Sequence, residues 1–193
     1  MGQLIYLIGA SGSGKDSIMQ AVREQISDEI PTLFAHRYIT RPAELGGENY
    51  ISLSEKEFML RQKAGLLVMH WKSHGYCYGI GNEIKNWLNN GFNVVVNGSR
   101  EFLPVASSLF PDLLVTLVTV SENVLRQRLI QRGRESMEEI EKRLERAKAF
   151  NVDHHNLITI SNDGLLEDSV KSFIDVLTGV LKRSAIANLE IIN

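Results

Sequence analysis

A glycine-rich stretch directly after the first apolar run constrains this chain more than any other feature of its sequence. The apolar run over residues 4–8 precedes Gly9-Ala10-Ser11-Gly12-Ser13-Gly14-Lys15-Asp16-Ser17, and an amphipathic pattern follows. This order of strand, GxxxxGK loop and helix is typical of a phosphate-binding loop. In such a loop, backbone amides and a helix N-terminus surround the phosphate, and Lys15 would reach the β and γ phosphates. A glycine-rich turn with a surface lysine is the alternative.

The residue after the lysine departs from the usual pattern. A serine or threonine normally follows the lysine and binds Mg²⁺ through its hydroxyl, whereas Asp16 follows it here. The strand predicted over residues 92–96 leads into Asn97, where many such folds place the aspartate that helps to hold Mg²⁺. We therefore expect Asp16 to take over part of the Mg²⁺ coordination, directly or through water. Two alternatives remain: Ser17 supplies the hydroxyl, or Asp16 only stabilises the start of the helix.

Short apolar runs alternate with longer amphipathic stretches along the chain, as in a parallel sheet covered by helices on both faces. We predict buried strands over residues 4–8, 33–36, 66–69, 92–96, 113–120 and 157–160. We predict helices over about residues 15–27, 54–63, 81–90, 100–109, 121–131, 136–149 and 164–182. Ser54 and Ser136 each stand three residues before a glutamate, which indicates capping boxes at two helix starts. The alternation predicts an α/β fold.

Length and charge narrow the class of protein further. A chain of 193 residues buries enough surface to fold without disulfides or metals, and it contains one cysteine, Cys77. We predict one domain over residues 1–183 and a tail over residues 184–193. Its 21 basic and 23 acidic residues argue against nucleic acid or an anionic membrane as a partner. The lone cysteine and the lack of a long apolar run or basic leader predict a cytoplasmic protein. We expect a monomer or homodimer that acts on small molecules.

A second group of cations and phenols indicates a phosphorylated acceptor. Arg37 and Arg41 lie four residues apart, Tyr50 follows them, and Tyr78 ends a later Tyr-Cys-Tyr segment. A guanidinium group binds phosphate through two parallel hydrogen bonds, and phenols add directed donors. The alternative is a basic loop with the tyrosines packed in the core. Because no Asn/Thr-Lys-x-Asp element for guanine is present, we favour a kinase with a small acceptor over a GTPase.

A group of six arginines lies across two later predicted helices, and most of them fit a solvated surface. Arg143, for example, is four residues after Glu139, the spacing of a helical ion pair. Arg132 and Arg134 differ because they flank Gly133 in a turn between the helices. A mobile lid at this turn could place their guanidinium groups on a phosphoryl group during transfer.

Together these residues make the chain resemble the guanylate-kinase-like branch of the nucleoside monophosphate kinase fold over about residues 4–164. The matching elements are the phosphate loop, Thr40-Arg41 with Tyr50, and the segments 74–79, 128–134, 143–144 and 161–163. The resemblance implies a P-loop NTPase fold with a substrate-binding insertion at about residues 36–80 and a short lid at about residues 130–137. It also implies ATP and Mg²⁺ as cofactors and catalytic roles for Lys15, Arg132, Arg134 and Arg143. Asn162 and Asp163 are expected near the adenine, a plain turn being the alternative.

Departures from guanylate kinases point away from GMP as the acceptor. Two acidic positions that hold guanine in those enzymes fall by alignment on Met69 and Lys72, which cannot accept hydrogen bonds as carboxylates do. The second arginine expected after Arg41 is absent, and Glu44 stands nearby in a shortened loop. Arg37 occupies a position where guanylate kinases usually have a serine. The acceptor site has therefore lost its base-reading groups and gained positive charge.

Three strings in the chain are similar to the ribose 1,5-bisphosphate phosphokinase family, at residues 14–17, 36–41 and 96–100. The resemblance implies transfer of the γ-phosphoryl group of ATP to α-D-ribose 1,5-bisphosphate in bacterial phosphonate degradation. The products would be 5-phospho-α-D-ribosyl 1-diphosphate and ADP. Arg37 and Arg100 are the candidates for binding the extra phosphate. The alternatives are a nucleoside monophosphate kinase with altered base preference, and a non-catalytic guanylate-kinase-like module that binds phosphorylated peptides.

Overall fold

The computed structural model describes residues 2–42, 50–133, 135–149 and 151–190, with side chains described as far as residue 180. Two residues that the sequence analysis named, Glu44 and Arg134, lie outside the described residues. Within the described part, no helix combines the length and apolar character needed to cross a membrane.

In the described residues the chain forms nine strands and seven helices. The strands are β1 (Leu4–Gly9), β2 (Thr32–Phe34), β3 (Arg37–Ile39), β4 (Tyr50–Ser52), β5 (Leu67–Ser73), β6 (Tyr76–Gly81), β7 (Asn93–Asn97), β8 (Leu114–Thr119) and β9 (Leu157–Ser161). The helices are α1 (Lys15–Gln25), α2 (Glu55–Lys63), α3 (Glu83–Asn89), α4 (Leu103–Leu109), α5 (Glu122–Arg132), α6 (Met137–Ala149) and α7 (Leu166–Glu190). All the predicted helices form, and α7 continues into the predicted tail.

The larger sheet has five parallel strands in the order β2-β7-β1-β8-β9. Its central strand β1 is almost entirely apolar because helices cover both faces of the sheet. Ile5 and Leu7 point to one face and pack with α1 and α7, whereas Tyr6 and Ile8 point to the other face and pack with α3 and α4. This arrangement confirms the predicted α/β fold with helices on both faces of a parallel sheet.

A second sheet of four strands, in the order β4-β3-β6-β5, was not predicted as a separate unit. The apolar run over residues 66–69, expected in the parallel sheet, lies mostly in β5 and pairs antiparallel with β6. β6 is also antiparallel to β3, and β3 is parallel to β4. β3 and β4 have three residues each, too few for a period of two to stand out in the sequence.

Serine caps confirm two predicted helix starts, and one of the two predicted capping boxes is complete. At α2, the backbone N–H of Glu57 donates to Ser54 Oγ at 3.1 Å, but the Glu57 carboxylate pairs with Arg61 at 2.7 Å. At α6 the exchange is reciprocal: Glu139 N donates to Ser136 Oγ at 3.3 Å, and Ser136 N donates to Glu139 Oε2 at 2.8 Å. Two otherwise orphaned amides are thereby satisfied. The carboxylate of Glu139 is therefore engaged at the beginning of its own helix.

The two sheets together form one cleft. Helix α2 covers one face of the second sheet through a small core of Leu53, Phe58 and Leu67. The opposite face and the carboxyl ends of β1 and β7 line a cavity of about 640 Å³. Ligands of open α/β sheets bind at the carboxyl ends of the strands, so this cleft is the candidate functional site.

Candidate active site

The phosphate loop forms one wall of the cleft. Gly12 and Gly14 have positive φ angles of 91° and 89°, a region that glycine enters without strain. The ammonium group of Lys15, the first residue of α1, donates to the carbonyl oxygens of Gly9 and Ala10 at 3.0 Å each. An ammonium group has three N–H donors, so one more is available for a phosphate oxygen. The loop has the geometry predicted for binding phosphate.

Burial lowers the pKa of Lys15 to about 8; among its charged neighbours Asp16 raises that pKa, and Arg37 and Arg100 lower it. Burial also lowers the pKa of Arg37, which Asp16 raises. Lys15, Arg37 and Arg100 come from three separate parts of the chain, and both arginines are close enough to Lys15 to lower its pKa. The cleft is therefore locally positive although the whole chain carries a net charge of −2.

Asn162 supports the phosphate loop through a buried hydrogen bond. Its side-chain amide, 2% exposed, donates to the Ser13 carbonyl at 2.7 Å, and its Oδ1 accepts from Ser169 Oγ at 2.9 Å. A Cβ atom at Gly14 would collide with the same amide, so the glycine permits this close approach. Arg128 Nη2 donates to the Asn162 carbonyl at 2.8 Å. The side chain of Asn162 is thus committed to the loop.

Asp163 stabilises the start of α5 through a hydrogen bond from the N-cap residue Ser121. Its Oδ1 accepts from the backbone N–H of Ser121 at 2.6 Å, and this hydrogen bond is the main reason that the pKa of Asp163 is lowered. Contact of Asn162 and Asp163 with adenine stays a prediction. Both side chains have other partners among the described residues.

Asp16 and Asn97 meet across the cleft floor. The amide of Asn97, at the end of β7, donates to Asp16 Oδ1 at 2.8 Å. The Asp16 carboxylate thus stands where the usual hydroxyl would be, and the Asn97 amide stands where the usual acid would be. In the described ranges, no group of three or more histidine, cysteine or acidic side chains is arranged so that it could hold a metal ion by itself. The donor set fits Mg²⁺, which commonly uses one or two carboxylates and completes its shell with water and substrate phosphates.

The acceptor wall is one face of the second sheet. The register pairs Arg37 of β3 with Tyr50 of β4 and with Ile80 of β6, and it pairs Trp71 of β5 with Tyr78 of β6. Because side chains alternate between faces, these residues share one face. The Arg37 guanidinium lies 5.3 Å from the centre of the Tyr78 ring. The predicted acceptor residues of β3, β4 and β6 are therefore brought together.

Arg41 follows β3 and completes this wall. Its guanidinium lies over the Tyr50 ring, 4.6 Å from the ring centre, and the Tyr50 hydroxyl donates to the Pro42 carbonyl at 2.7 Å. Stacking on an aromatic ring fixes the orientation of a guanidinium group. Arg41 lines the cavity.

The two positions aligned with the base-reading acids have different environments. Met69 is completely buried in the main core. Lys72 is exposed and lies on the opposite face of β5 from Trp71 and Ser73, both of which line the cavity. A carboxylate is therefore absent from both positions, as the sequence indicated, and Lys72 adds no charge to the cleft-facing surface.

A buried tyrosine positions the loop that carries Arg100. The Tyr6 hydroxyl donates to the Ser99 carbonyl at 3.1 Å and accepts from the Ser99 backbone N–H at 3.0 Å. Gly98 packs directly on the Tyr6 ring, where a Cβ atom would collide. Arg100 then lines the cavity, and burial lowers its pKa.

The lid region places Arg143 on the phosphate loop. Arg143 Nη1 donates to Ser11 Oγ at 2.8 Å, and its Nη2 forms an ion pair with Glu135 Oε1 at 2.8 Å. The predicted pair of Arg143 with Glu139 is therefore wrong, because Glu139 caps its own helix and Arg143 reaches over the loop. Arg132 lines the cavity. The predicted lid residue Arg134 lies outside the described residues.

Four residues that line or support the cleft were missed or undervalued from the sequence: Asn97, Tyr6, Glu135 and Trp71. Trp71 was interpreted as a core residue, although it lines the cavity. The alternation of Met69, Trp71 and Ser73 along β5 is the signal that could have indicated it. The other three depend on contacts between distant segments, which no local pattern encodes.

Comparisons with known proteins agree with this geometry. A family model described as guanylate kinase matches residues 1–179. Curated relatives named ribose 1,5-bisphosphate phosphokinase PhnN include one from Desulfomicrobium baculatum, 51% identical over 168 residues, which are 87% of this chain and 90% of the relative. Another, from Thiobacillus denitrificans, is 49% identical over 177 residues, 92% of this chain and 93% of the relative.

Solved structures with the same fold include guanylate kinase from Anaplasma phagocytophilum. It matches with a TM-score of 0.68 at 15% identity over 92% of this chain and 85% of that chain. A gluconokinase from Sinorhizobium meliloti matches with a TM-score of 0.54 at 16% identity over 96% of this chain and 97% of that chain. At such identities the structures establish the fold alone.

Proposed function

The chain belongs to the guanylate kinase family and, within it, to the ribose 1,5-bisphosphate phosphokinases, and we propose that it phosphorylates α-D-ribose 1,5-bisphosphate. The γ-phosphoryl group of ATP is transferred to the 1-phosphate, giving 5-phospho-α-D-ribosyl 1-diphosphate and ADP. The observation that carries this proposal is the acceptor wall. It presents arginines and phenols but no carboxylate from β3 to β6 in the described residues, so it suits phosphates without a base.

The donor side of the proposal rests on the phosphate loop. Backbone amides of residues 9–14, the N-terminus of α1 and the Lys15 ammonium bind the β and γ phosphates of ATP. Asp16 would hold Mg²⁺, with Ser17 as a second oxygen donor and Asn97 orienting the carboxylate through its 2.8 Å hydrogen bond. The ion, when bound, neutralises phosphate charge that develops during transfer.

The acceptor residues form two groups, one for each phosphate of the sugar. Arg41 with Tyr50 and Tyr78 binds one phosphate. Arg37 and Arg100 bind the other, which a nucleoside monophosphate lacks. Each bidentate guanidinium contact fixes the direction of the phosphate as well as its charge. The 1-phosphate is then held in line with the γ-phosphorus.

The chemical step needs no general base. An oxygen of the 1-phosphate is already ionised at neutral pH, so it attacks the γ-phosphorus while the bond to the β–γ bridging oxygen breaks and ADP leaves. Positioning and charge neutralisation supply most of the rate enhancement in such reactions. Arg132, Arg134 and Arg143 close over the transferring group, where their charge acts on its equatorial oxygens.

Phosphorus NMR of the products tests the proposal directly. Incubation with ATP, Mg²⁺ and ribose 1,5-bisphosphate is expected to produce a diphosphate ester and ADP, whereas GMP in place of the sugar is expected to react far more slowly. A kcat/KM for GMP equal to or above that for the sugar would instead identify a nucleoside monophosphate kinase. Absence of ATP binding in calorimetry would identify a non-catalytic binding module.

A further inference from the structure

Trp71 is a cleft residue to which no role has yet been given. We propose that its indole is a specificity-determining group that fills the space a nucleobase would need, so that phosphorylated acceptors carrying a base are rejected. This inference rests on the proposed function, which it deepens by naming the residue that excludes nucleotides. It is carried by the position of Trp71, by its packing and by its chemistry.

The position follows from the register of β5. Trp71 pairs directly with Tyr78 of β6, and the two side chains lie on the face of the sheet that carries Arg37. Trp71, Tyr78 and Arg37 all line the cavity. Two residues earlier on the same face is Met69, the position aligned with a guanine-holding acid. The indole therefore stands in the acceptor wall beside Arg37 and Tyr78, where it limits the room for any ring attached to the acceptor.

Aromatic neighbours hold the indole in place. The Trp71 and Tyr78 rings are nearly parallel, with an interplanar angle of 6° and a centroid distance of 5.7 Å. Phe102, just before α4, stacks with the same indole at 5.4 Å and 29°. These contacts and the main core against which Trp71 packs restrict its rotamers. A ligand cannot move the indole aside without breaking this stack.

The chemistry of the indole makes it a poor partner for a base. Its only polar group is an N–H donor, so it offers no acceptor to the N1 and N2 donors of guanine. Its bicyclic ring has about the size of a purine, and as part of the cavity lining it takes up volume that a base would need. A ribose bisphosphate carries no second ring and avoids this steric conflict. Such an obstructing group gives specificity by opposing the wrong ligand rather than by attracting the right one.

Removing the indole tests the inference. Trp71→Ala is expected to bind GMP at least about tenfold more tightly than the wild type in calorimetry, the scale on which pocket volume changes specificity. Trp87→Ala is the matched control, because Trp87 packs against the same core and is not among the described residues that line the cavity. Its GMP affinity should stay that of the wild type. Tighter GMP binding is a gain that loss of stability cannot imitate.

A fluorescence measurement supplies a second readout, and its main variant, Trp87→Phe, keeps Trp71 in the cleft. In Trp87→Phe only Trp71 emits, and binding of ribose 1,5-bisphosphate is expected to change its intensity or wavelength. In Trp71→Phe only Trp87 emits, and the same addition is expected to leave its emission unchanged. No response from Trp71 on saturation with the sugar would overturn its placement beside the acceptor.

The two proposals fail in different ways. If the wild type does not turn over ribose 1,5-bisphosphate, the proposed function is wrong, whatever Trp71→Ala does with GMP. If the wild type turns it over and folded Trp71→Ala gains no affinity for GMP, the exclusion of bases by Trp71 is wrong. Tighter GMP binding by Trp71→Ala but not by Trp87→Ala supports the inference.

Discussion

The two walls of the cleft are built differently for the phosphate recognition that we propose. The donor wall is a single run of residues, 9–17, in which backbone amides and a helix start would do most of the binding, and a buried asparagine supports it. The acceptor wall takes separate side chains from four strands and stacks them on aromatic rings. One wall depends on chain conformation and the other on residue identity.

This difference explains how one fold can serve different acceptors. Backbone recognition tolerates few changes because each amide depends on the φ angles of its neighbours. A wall of side chains can change its ligand when a few positions on one sheet face change. Arg37, Met69 and Trp71 are such positions here, since they share the face that lines the cleft or its core. Variants that damage only one wall therefore separate the two modes of recognition.

The largest effect is expected from Lys15→Ala on the donor wall. Loss of the ammonium removes a charge that acts on the transferring phosphoryl group, so kcat should fall on the order of 10³-fold. Binding of ribose 1,5-bisphosphate, measured by calorimetry without nucleotide, should change little. Lys85→Ala, an exposed lysine of α3, is the control for loss of one positive charge. Equal weakening of acceptor binding would show that the walls are not independent.

The Asp16 carboxylate is expected to give the next largest effect. Asp16→Asn should weaken the apparent Mg²⁺ affinity of the ATP complex roughly 100-fold, as for other groups that hold or orient a metal. The double variant Asp16→Asn with Asn97→Asp returns a carboxylate to the other side of the same 2.8 Å hydrogen bond and should recover part of the affinity. Binding of Mn²⁺ followed by electron paramagnetic resonance measures this without turnover. Unchanged metal affinity in Asp16→Asn would leave Asp16 as a helix-stabilising acid only.

The same contrast determined how much the sequence could predict. The donor wall was predicted residue by residue because its motif is contiguous and its strand–loop–helix context has a strong hydrophobic pattern. The proposed acceptor residues Arg37, Arg41, Tyr50 and Tyr78 were predicted from their chemistry and from resemblance, and that role stays a prediction. The sheet that joins them was not predicted, since β3 and β4 are too short to show a period.

The remaining differences concern contacts between distant segments. Arg143 pairs with Glu135 and Ser11 instead of Glu139, because α6 packs beside Ala10 of the phosphate loop through Ile140 and Leu144, which brings Arg143 within reach of Ser11. The spacing of residues along a helix shows that a local ion pair is possible, but it does not show whether a contact with a distant segment is preferred. Trp71 was interpreted as a core residue for a similar reason. In the sequence of a strand, a large apolar residue that lines a cavity looks the same as one that is buried in the core.

A smaller effect, confined to the acceptor wall, is expected from its arginines. Arg37→Ala and Arg41→Ala each remove a charge-assisted hydrogen bond worth about 1.5–3 kcal/mol, which corresponds to roughly a 10- to 150-fold rise in KM for the sugar. KM for ATP should change little. Arg61→Ala is the matched control, since Arg61 pairs with Glu57 on α2 and stacks on Tyr38, away from the cleft. Equal losses for both substrates would contradict the assignment of these arginines to the acceptor.

The smallest effect on binding is expected where the donor wall is supported from outside the loop. Asn162→Ala removes the side-chain donor to the Ser13 carbonyl and one of the two acceptors of the Ser169 hydroxyl, which keeps its hydrogen bond to the Ser161 carbonyl. The free energy of unfolding should therefore fall by about 1–3 kcal/mol. The loop then loses a brace, and the Kd for ATP should rise roughly threefold, the equivalent of about 0.6 kcal/mol.

A matched control separates bracing of the loop from general instability. Asn156→Ala removes a hydrogen bond from a similar side-chain amide to the Leu113 carbonyl, outside the phosphate loop, and should lower stability without changing the Kd for ATP. The base of the nucleotide separates the brace from a contact with adenine. If Asn162 acts through the loop, its loss weakens ATP and GTP by the same factor, because both present the same phosphates. If only the affinity for ATP falls, Asn162 contacts the adenine. The donor wall would then also depend on the identity of a side chain, and the two walls would differ less than their geometry indicates.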